Sequence, residues 1–205
     1  MDITILIPNT RPLSPEFRES IKDRNYVIMS NNHGNVYYDL LCTLGALGHY
    51  KGFVYFLEDD DTLSRSFPKT LDLEDMYDGI VGNYLQAQSM EIEKDHNQRY
   101  IRDISRENFQ LSQCIFRYSE KLLYLFRDIV PCKHLGIGCV HNDYFIYEKL
   151  RLKKTNNFLF TQGSQGDNIS CKAEKSFCKG CKYNKGFELG FKKNENKSAR
   201  KLFRS

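Results

Sequence analysis

The chain has 205 residues, of which 40% are hydrophobic and 13% aromatic, and its formal net charge is +4. This length and apolar content exclude a disordered chain and predict one substantial domain with room for a small appendage. Lysine and arginine dominate from Lys149 onward, whereas acidic residues concentrate between Glu58 and Asp95. The contrast predicts a positive surface beside an acidic, metal-compatible pocket.

The N-terminus lacks the basic and long apolar stretches of a signal peptide, and no segment approaches the roughly twenty apolar residues that span a bilayer. Seven cysteines, an odd number, fit reduced thiols better than a disulfide framework. We therefore expect a cytoplasmic protein without a membrane span.

The first third of the chain alternates between strand and helix patterns. ITILIPN, residues 3–9, is a continuous apolar run typical of a buried strand. A helix follows, with Ser14 as its N-cap and Pro15 at its first position. YVIMSNN predicts a second strand, VYYDLLCTLGALGHY a second helix and GFVYFLEDD a third strand. This order predicts a parallel sheet with right-handed crossovers and helices on its faces.

The remainder of the chain is less regular. DGIVGNYLQAQ and NFLFTQG predict strands, FQLSQCIFRYSEKLLYLF predicts one amphipathic helix, and a further helix is expected to begin at Asn142 or Asp143. TQGSQGDNIS, residues 161–170, predicts a lid or acceptor loop. The lysine-rich tail has few apolar residues, so we divide the chain into a domain over 1–169 and an appendage over 170–205.

Polar side chains follow each of the first three predicted strands. They occur in PNTRP, NNHG and EDDD, in that order. Ligands of parallel α/β sheets bind outside the carboxyl ends of the strands, so the three tips are expected to share one site.

The acidic tip consists of Glu58, Asp59, Asp60 and Asp61, directly after the apolar residues FVYFL. Such carboxylates are preferred ligands of Mg²⁺ and Mn²⁺, ions that also hold phosphate oxygens. The alternative is a solvated acidic turn. The preceding buried strand favours the metal site, because it ties the cluster to the end of the sheet.

Three motifs together resemble the GT-A nucleotide-sugar glycosyltransferases. ITILIPNTRP resembles their opening strand, FVYFLEDDDTL their strand followed by Asp-x-Asp, and CVHNDYFIYEKL their later acidic turn at a helix start. The resemblance covers roughly residues 2–165 and implies a GT-A-like, Rossmann-like fold, with a mostly parallel sheet flanked by helices and a small basic, cysteine-bearing C-terminal element. It also implies a sugar transferase, of the inverting type.

The resemblance implies roles for individual residues. The general base would be Asp143, although the family usually has Glu-Asp where this chain has Asn142 and Asp143. The divalent ion would be held by Asp59, Asp60 and Asp61, with the register open between Asp60–Asp61 and Asp59–Asp61. The donor would be bound by residues from all three tips: Pro8, Asn9, Arg11, Asn31, Asn32, Glu58 and Asp59. Asparagines at 31 and 32 depart from the aspartate that is more common in the family, which leaves the base of the nucleotide open. Without the resemblance, Asn142 or Asp143 is equally well explained as an N-cap.

Cys171, Cys178 and Cys181 form a Cys-x6-Cys-x2-Cys pattern that is compatible with structural zinc. The fourth ligand would be Cys132, Cys139 or His134, and the alternative is three ordinary thiols. Lysines interleaved with aromatic residues in the same tail resemble a nucleic-acid-facing surface, although a merely soluble lysine-rich tail explains them better when the segment is considered alone.

The leading hypothesis is a metal-dependent glycosyltransferase acting on a hydroxyl acceptor. Compact bacteriophage enzymes that glycosylate hydroxymethylated DNA bases offer an analogy, which would place the protein in the host cytoplasm with DNA as its partner. The alternatives are a glycosyltransferase of cell-surface polysaccharide synthesis, a nucleotidyltransferase and a noncatalytic nucleic-acid-binding module. The nucleotidyltransferase lacks support, because no glycine-rich, Lys/Arg-bearing loop follows the first strand.

Overall fold

The computed structural model describes residues 1–30, 35–46, 50–86, 99–100, 109–129 and 140–162. These residues form an α/β structure in which helices flank one mixed sheet. The strands are β1 Ile3–Asn9, β2 Asn25–Ser30, β3 Phe53–Phe56, β4 Thr62–Leu63, β5 Gly79–Gln86, β6 Arg99–Tyr100, β7 Cys114–Arg117 and β8 Leu152–Gln162. The helices are α1 Pro15–Ile21, α2 Val36–Ala46, α3 Glu120–Arg127 and α4 Val140–Lys149, and a 3-10 turn covers Leu111–Gln113.

The first five elements confirm the predicted alternation of strand and helix. β1 is buried over Ile3–Pro8 and pairs in parallel with β2 on one side and β3 on the other. Ser14 caps α1 as predicted, because its hydroxyl accepts a hydrogen bond of 3.1 Å from the amide of Phe17. Pro15 follows at the first helical position, where a missing amide proton has no cost.

The prediction of a single amphipathic helix over residues 109–126 is wrong. The segment instead contains the 3-10 turn, strand β7 and helix α3. Ser119 breaks the pattern, since its hydroxyl accepts the Leu122 amide proton at 3.2 Å and so starts a new helix. The residues before it, CIFR, take extended backbone because β7 pairs with β3 and β5 in the centre of the sheet.

The sheet is mixed rather than mostly parallel, which corrects the second part of the fold prediction. Its strand order is β2-β1-β3-β7-β5-β8-β4, with β6 paired to β5. Strand β7 is antiparallel to both of its neighbours, and β4 is antiparallel to β8. The β5–β7 pair is tight at Gly79, where a Cβ would lie 2.2 Å from the Ile115 carbonyl oxygen. Only glycine leaves room for that approach.

Hydrophobic clusters cover both faces of the sheet. On one face, α2, α3 and α4 pack over Leu6, Val54 and Phe56. On the other face, α1 and the segment after β4 pack over Ile5 and Tyr55. Alternate residues of β1 and β3 therefore point to opposite faces, which fixes the face to which each following polar residue is directed.

The later elements differ from the predictions mainly in their bounds. Helix α4 begins at Val140, so Asp143 lies inside its first turn and not at an N-cap. Strand β8 runs over Leu152–Gln162 and is longer than the predicted NFLFTQG. The loop over 161–170 lies almost wholly outside the described residues, and the appendage over 170–205 lies wholly outside them. Within the described ranges, no helix has the length and apolar character needed to cross a membrane.

Candidate functional site

The ends of β1 and β3 meet the 3-10 turn at one edge of the sheet. β3 and β7 are antiparallel with Tyr55 opposite Ile115, so residues 111–113 lie beside the residues that follow β3. The Leu57 amide still donates to the Leu6 carbonyl at 3.0 Å, which holds the acidic tip against the end of β1. This edge is the one at which the sequence predicted ligand binding.

Asp59 is joined to the loop after β1. Its Oδ2 accepts hydrogen bonds from the Thr10 amide, from the Thr10 hydroxyl at 2.8 Å and from the Arg11 amide at 3.1 Å. Its Oδ1 lies 3.1 Å from Nε of Arg11. With 3% of its surface exposed, Asp59 is buried, and donors contact both of its carboxylate oxygens.

Arg11 provides positive charge within the acidic tip. Besides its contact with Asp59, its Nη2 lies 3.7 Å from Oδ2 of Asp60. The arginine side chain is 24% exposed, so it is reachable from outside while its carboxylate partners are buried. A guanidinium in this position can bind an anionic ligand and, without one, offsets part of the negative charge.

Glu58 points to the opposite face of the sheet, towards α2. Its carboxylate accepts a hydrogen bond from the hydroxyl of Tyr37, a residue that is 4% exposed. The pKa of Glu58 is raised to about 7, mainly by burial. The hydrogen bond from Tyr37 opposes this shift, and the negative charges of Asp60 and Asp59 add to it. The Tyr37 pKa lies well above its ordinary value, first because of burial and then because of Glu58 and Asp143. Tyr37 therefore remains a hydrogen-bond donor at neutral pH.

Asp143 lies in α4 and is held by the 3-10 turn beside the acidic tip. Its Oδ2 accepts a hydrogen bond of 3.2 Å from the Leu111 amide in the 3-10 turn. Burial, followed by the charge of Glu58, raises the pKa of Asp143 well above its ordinary value. Cys114, buried beside this group, also has a raised pKa, mainly from burial and then from Asp143. A carboxylate that is this poorly stabilised can accept a proton readily.

The side chains suit a metal–phosphate site better than a cage built entirely from protein ligands. Within the described ranges, no three His, Cys, Asp or Glu side chains are arranged as a metal-binding group. Mg²⁺ commonly needs only one or two carboxylates, because waters and substrate phosphates complete its shell. Asp60 and Asp61 are 8% and 3% exposed, and burial raises the pKa of Asp60, so a cation there would compensate buried negative charge. Their hard oxygen donors fit Mg²⁺ or Mn²⁺.

Two buried polar atoms lie close in sequence to this cluster. Oδ1 of Asn9 and the hydroxyl of Tyr55 have no hydrogen-bond partner within the described part of the chain. Burial, and then the charge of Asp61, raises the pKa of Tyr55 well above its ordinary value. Asn9, at the last position of β1, was predicted to line the donor site.

The structure brings together the predicted residues from two of the three strand tips and from α4. Pro8 and Asn9 end β1, Arg11 follows it, the four acids follow β3, and Asp143 accepts a hydrogen bond from the Leu111 amide in the 3-10 turn beside them. Asn31 and Asn32 lie outside the described residues. So do Cys171, Cys178 and Cys181 and the three proposed fourth zinc ligands, Cys132, Cys139 and His134. The zinc prediction therefore stays a prediction.

Sequence reasoning missed three contributors to the site: Tyr37, Thr10 and the amide of Leu111. Thr10 stands within PNTRP, and its hydroxyl next to a candidate phosphate-binding arginine was a usable signal. Tyr37 and Leu111 carry no such signal, because each lies more than twenty residues from its partner and in the sequence is indistinguishable from a core residue.

Comparison with known proteins gives weak structural similarities. No family model matches the chain, and no curated protein does so. Among solved structures, A197 from STIV is 18% identical, with a TM-score of 0.42, over 76% of this chain and 82% of that one. S. aureus TarS 1-349 is 10% identical, with a TM-score of 0.49 over 79% of this chain, and a second TarS structure has a TM-score of 0.47. This chain spans 60% and 36% of those two TarS chains. At TM-scores below 0.5 these similarities assign neither a fold family nor residue roles.

Proposed function

We propose that the protein is a GT-A-like, inverting glycosyltransferase that moves a sugar from a nucleotide-sugar donor to a hydroxyl acceptor. The observation that carries the proposal is the meeting, at one sheet edge, of a guanidinium, a buried acidic tip and a separate proton-accepting carboxylate. Arg11 contacts Asp59 and Asp60, and the charge of Glu58 acts on Asp143. The sequence resemblance to GT-A enzymes names the same three positions.

Asp143 is the proposed general base. In the transfer, the acceptor oxygen forms a bond to the anomeric carbon, while the bond from that carbon to the diphosphate oxygen breaks. The proton of the acceptor hydroxyl passes to Asp143, and the bonding electrons leave with the diphosphate. A raised pKa improves a carboxylate as a proton acceptor near neutral pH. The Leu111 amide holds one oxygen of Asp143 in place, so the other can face the acceptor.

The leaving diphosphate gains negative charge as the bond breaks, and Arg11 is the proposed protein cation that stabilises it. The Arg11 side chain is 24% exposed and contacts Asp59 and Asp60 of the acidic tip. Asp60 and Asp61 would hold a divalent ion, Mn²⁺ or Mg²⁺, which when bound supplies further positive charge to the diphosphate. For Asn9 to accept a hydrogen bond from the donor, its Oδ1, which is buried and has no partner among the described residues, would have to become exposed.

The proposed acceptor is the hydroxymethyl group of a modified DNA base. The support is compositional: the residues after Lys149 are rich in lysine, and interleaved aromatic residues suit stacking on bases. The base would have to be extruded from the duplex to reach Asp143. Binding to duplex DNA should then weaken steeply with salt, because lysines release counterions from the phosphates.

Mass analysis of digested nucleosides tests the transfer directly. The protein is incubated with Mn²⁺, a panel of nucleotide sugars, and hydroxymethylated or ordinary DNA. The proposal expects a hexose or pentose mass increment on hydroxymethylated nucleosides alone. Asp60→Asn should reduce both donor binding and transfer, whereas Asp128→Asn, an exposed acid paired with Arg127, serves as the matched control.

Two outcomes separate the parts of the proposal. If no nucleoside diphosphate stabilises the protein in a thermal-shift screen with Mn²⁺, the proposed transferase activity is refuted. If the protein binds a donor but transfers sugar to neither DNA, and its DNA affinity does not depend on salt, the proposed DNA acceptor is refuted. The proposed transferase activity would still stand. Transfer to a lipid-linked sugar in the same assay would point to polysaccharide synthesis.

A further inference from the structure

We infer that Asp59 is a positioning residue, which orders the loop after β1 for a nucleoside diphosphate, and that the cation ligands are Asp60 and Asp61. This inference deepens the proposed function and depends on it for the identity of the ligand. It decides the register that the sequence alone left open, because it assigns neighbouring carboxylates to different tasks.

The contacts of Asp59 leave little capacity for a metal ion. Oδ2 accepts from three donors, although a carboxylate oxygen offers only about two lone pairs in the plane of the group. Oδ1 faces the guanidinium of Arg11. An ion bound to Asp59 would have to displace these donors, each of which would then lose a charged acceptor.

The same contacts give the loop a defined shape. Two consecutive amides, those of Thr10 and Arg11, and the Thr10 hydroxyl converge on one oxygen, while Nε of Arg11 binds the other. The guanidinium is thereby held with Nη2 at 3.7 Å from Asp60. An arginine that is ordered before the ligand arrives loses less conformational entropy on binding. The class of ligand that suits a fixed guanidinium beside divalent-ion ligands is a diphosphate.

Asp59→Asn and Asp60→Asn should therefore fail in opposite ways. Three quantities are measured: Mn²⁺ affinity by electron paramagnetic resonance, affinity for UDP, GDP, CDP and ADP tested singly with Mn²⁺, and amide hydrogen exchange at Thr10 and Arg11 by NMR. Asp128→Asn is the matched acid-to-amide control. A purely structural role of Asp59 would destabilise the fold without separating the affinities for the ion and the diphosphate.

For Asp59→Asn we expect exchange at both amides to accelerate about tenfold or more, because they lose a charged acceptor. The Kd of the best nucleoside diphosphate should rise about tenfold, while the Kd of Mn²⁺ alone changes by no more than about threefold. Asp60→Asn should leave both amides protected and weaken Mn²⁺ binding by about tenfold or more, because an ion ligand is lost. For a working transferase, Asp59→Asn should raise the KM for the donor more than it lowers kcat.

The inference is overturned if Asp59→Asn weakens Mn²⁺ binding as strongly as Asp60→Asn does, or if the two amides keep their protection. Should Asp59→Asn fail to fold, Thr10→Val removes one donor to the same oxygen. It should show the same pattern at a smaller size, and an unaltered diphosphate Kd in it would count against the inference. A wild-type protein that binds no nucleoside diphosphate would refute the proposed function, while the exchange rates would still decide whether Asp59 holds the loop.

Discussion

The acidic tip has two sides that differ in how their negative charge is balanced. On the Arg11 side, formed by Thr10, Arg11 and Asp59, a buried carboxylate is surrounded by donors and paired with a guanidinium. On the Tyr37 side, formed by Tyr37, Glu58 and Asp143, two carboxylates have raised pKa values, and each has one hydrogen-bond donor among the described residues.

The Arg11 side is ordered before a ligand binds, whereas the Tyr37 side contains the groups suited to accept a proton. Negative charge on the Arg11 side is stabilised in advance, so it contributes order and a cation for a ligand. Negative charge on the Tyr37 side is costly, because burial disfavours it and nearby acidic charges raise both pKa values further, those of Asp60 and Asp59 acting on Glu58 and that of Glu58 acting on Asp143. That side is suited to accept a proton. The following variants test this division, beginning with the largest expected effect.

Asp143→Asn removes the proposed base and preserves the shape of the side chain. We expect the rate of sugar transfer to fall about 100- to 10,000-fold, the usual contribution of general base catalysis. The Kd of the nucleotide sugar, measured by calorimetry with Mn²⁺, should stay near the wild-type value, because the proposed donor contacts are made by Arg11, Asp60 and Asp61 and not by Asp143. A variant that retains full transfer activity would exclude Asp143 as the base.

Arg11→Met removes the cation of the Arg11 side and keeps a long apolar side chain. The affinity for nucleoside diphosphates should fall about tenfold, because a charged hydrogen-bond donor is lost. The affinity for Mn²⁺ alone should increase severalfold, since the guanidinium beside Asp60 no longer repels the ion. Calorimetry and electron paramagnetic resonance measure the two affinities. A weaker affinity for both would show that Arg11 supports the loop without opposing the metal ion.

Tyr37→Phe removes the hydroxyl that donates to Glu58 while the ring stays in the core. At about pH 8.5, above the Glu58 pKa of about 7, the loss of a buried hydrogen bond to this charged group should cost about 1.5–3 kcal/mol of unfolding free energy, measured by urea denaturation. Tyr118→Phe is a matched control, because that hydroxyl donates to the uncharged carbonyl of Leu41 at 3.1 Å. It should cost less. Equal losses in the two variants would mean that Glu58 carries no charge in the native protein.

The raised pKa of Asp143 gives the smallest effect, a change in stability with pH. The native state binds the proton of Asp143 at pH values where the unfolded chain, with an ordinary aspartate pKa near 4, has already released it. Stability should therefore fall as pH rises from about 4 towards the native pKa. Asp143→Asn should flatten this decline only in part, because Glu58 contributes with the same sign. Melting temperatures between pH 4.5 and 8 measure both slopes, and parallel slopes would contradict the raised pKa.

Sequence patterns correctly predicted the first five helices and strands of the fold. β1, β2 and β3 with α1 and α2 occur where apolar runs, the Ser14 cap and helical spacing placed them, because these signals act within a few residues. The prediction was wrong over residues 109–126. The apolar spacing of that segment suits a helix, yet part of it completes a sheet whose other strands lie far away in sequence.

The sequence by itself determined that acids follow a buried strand and that a polar, arginine-bearing loop follows another, since both are local facts of composition. Only the tertiary structure decided which acid faces which partner. Because side chains alternate across the sheet, Glu58 is directed to Tyr37 and Asp143, whereas Asp59 turns to Thr10 and Arg11. Burial and the charges contributed by distant segments then set the pKa of each carboxylate, and no count of acidic residues could have distinguished them.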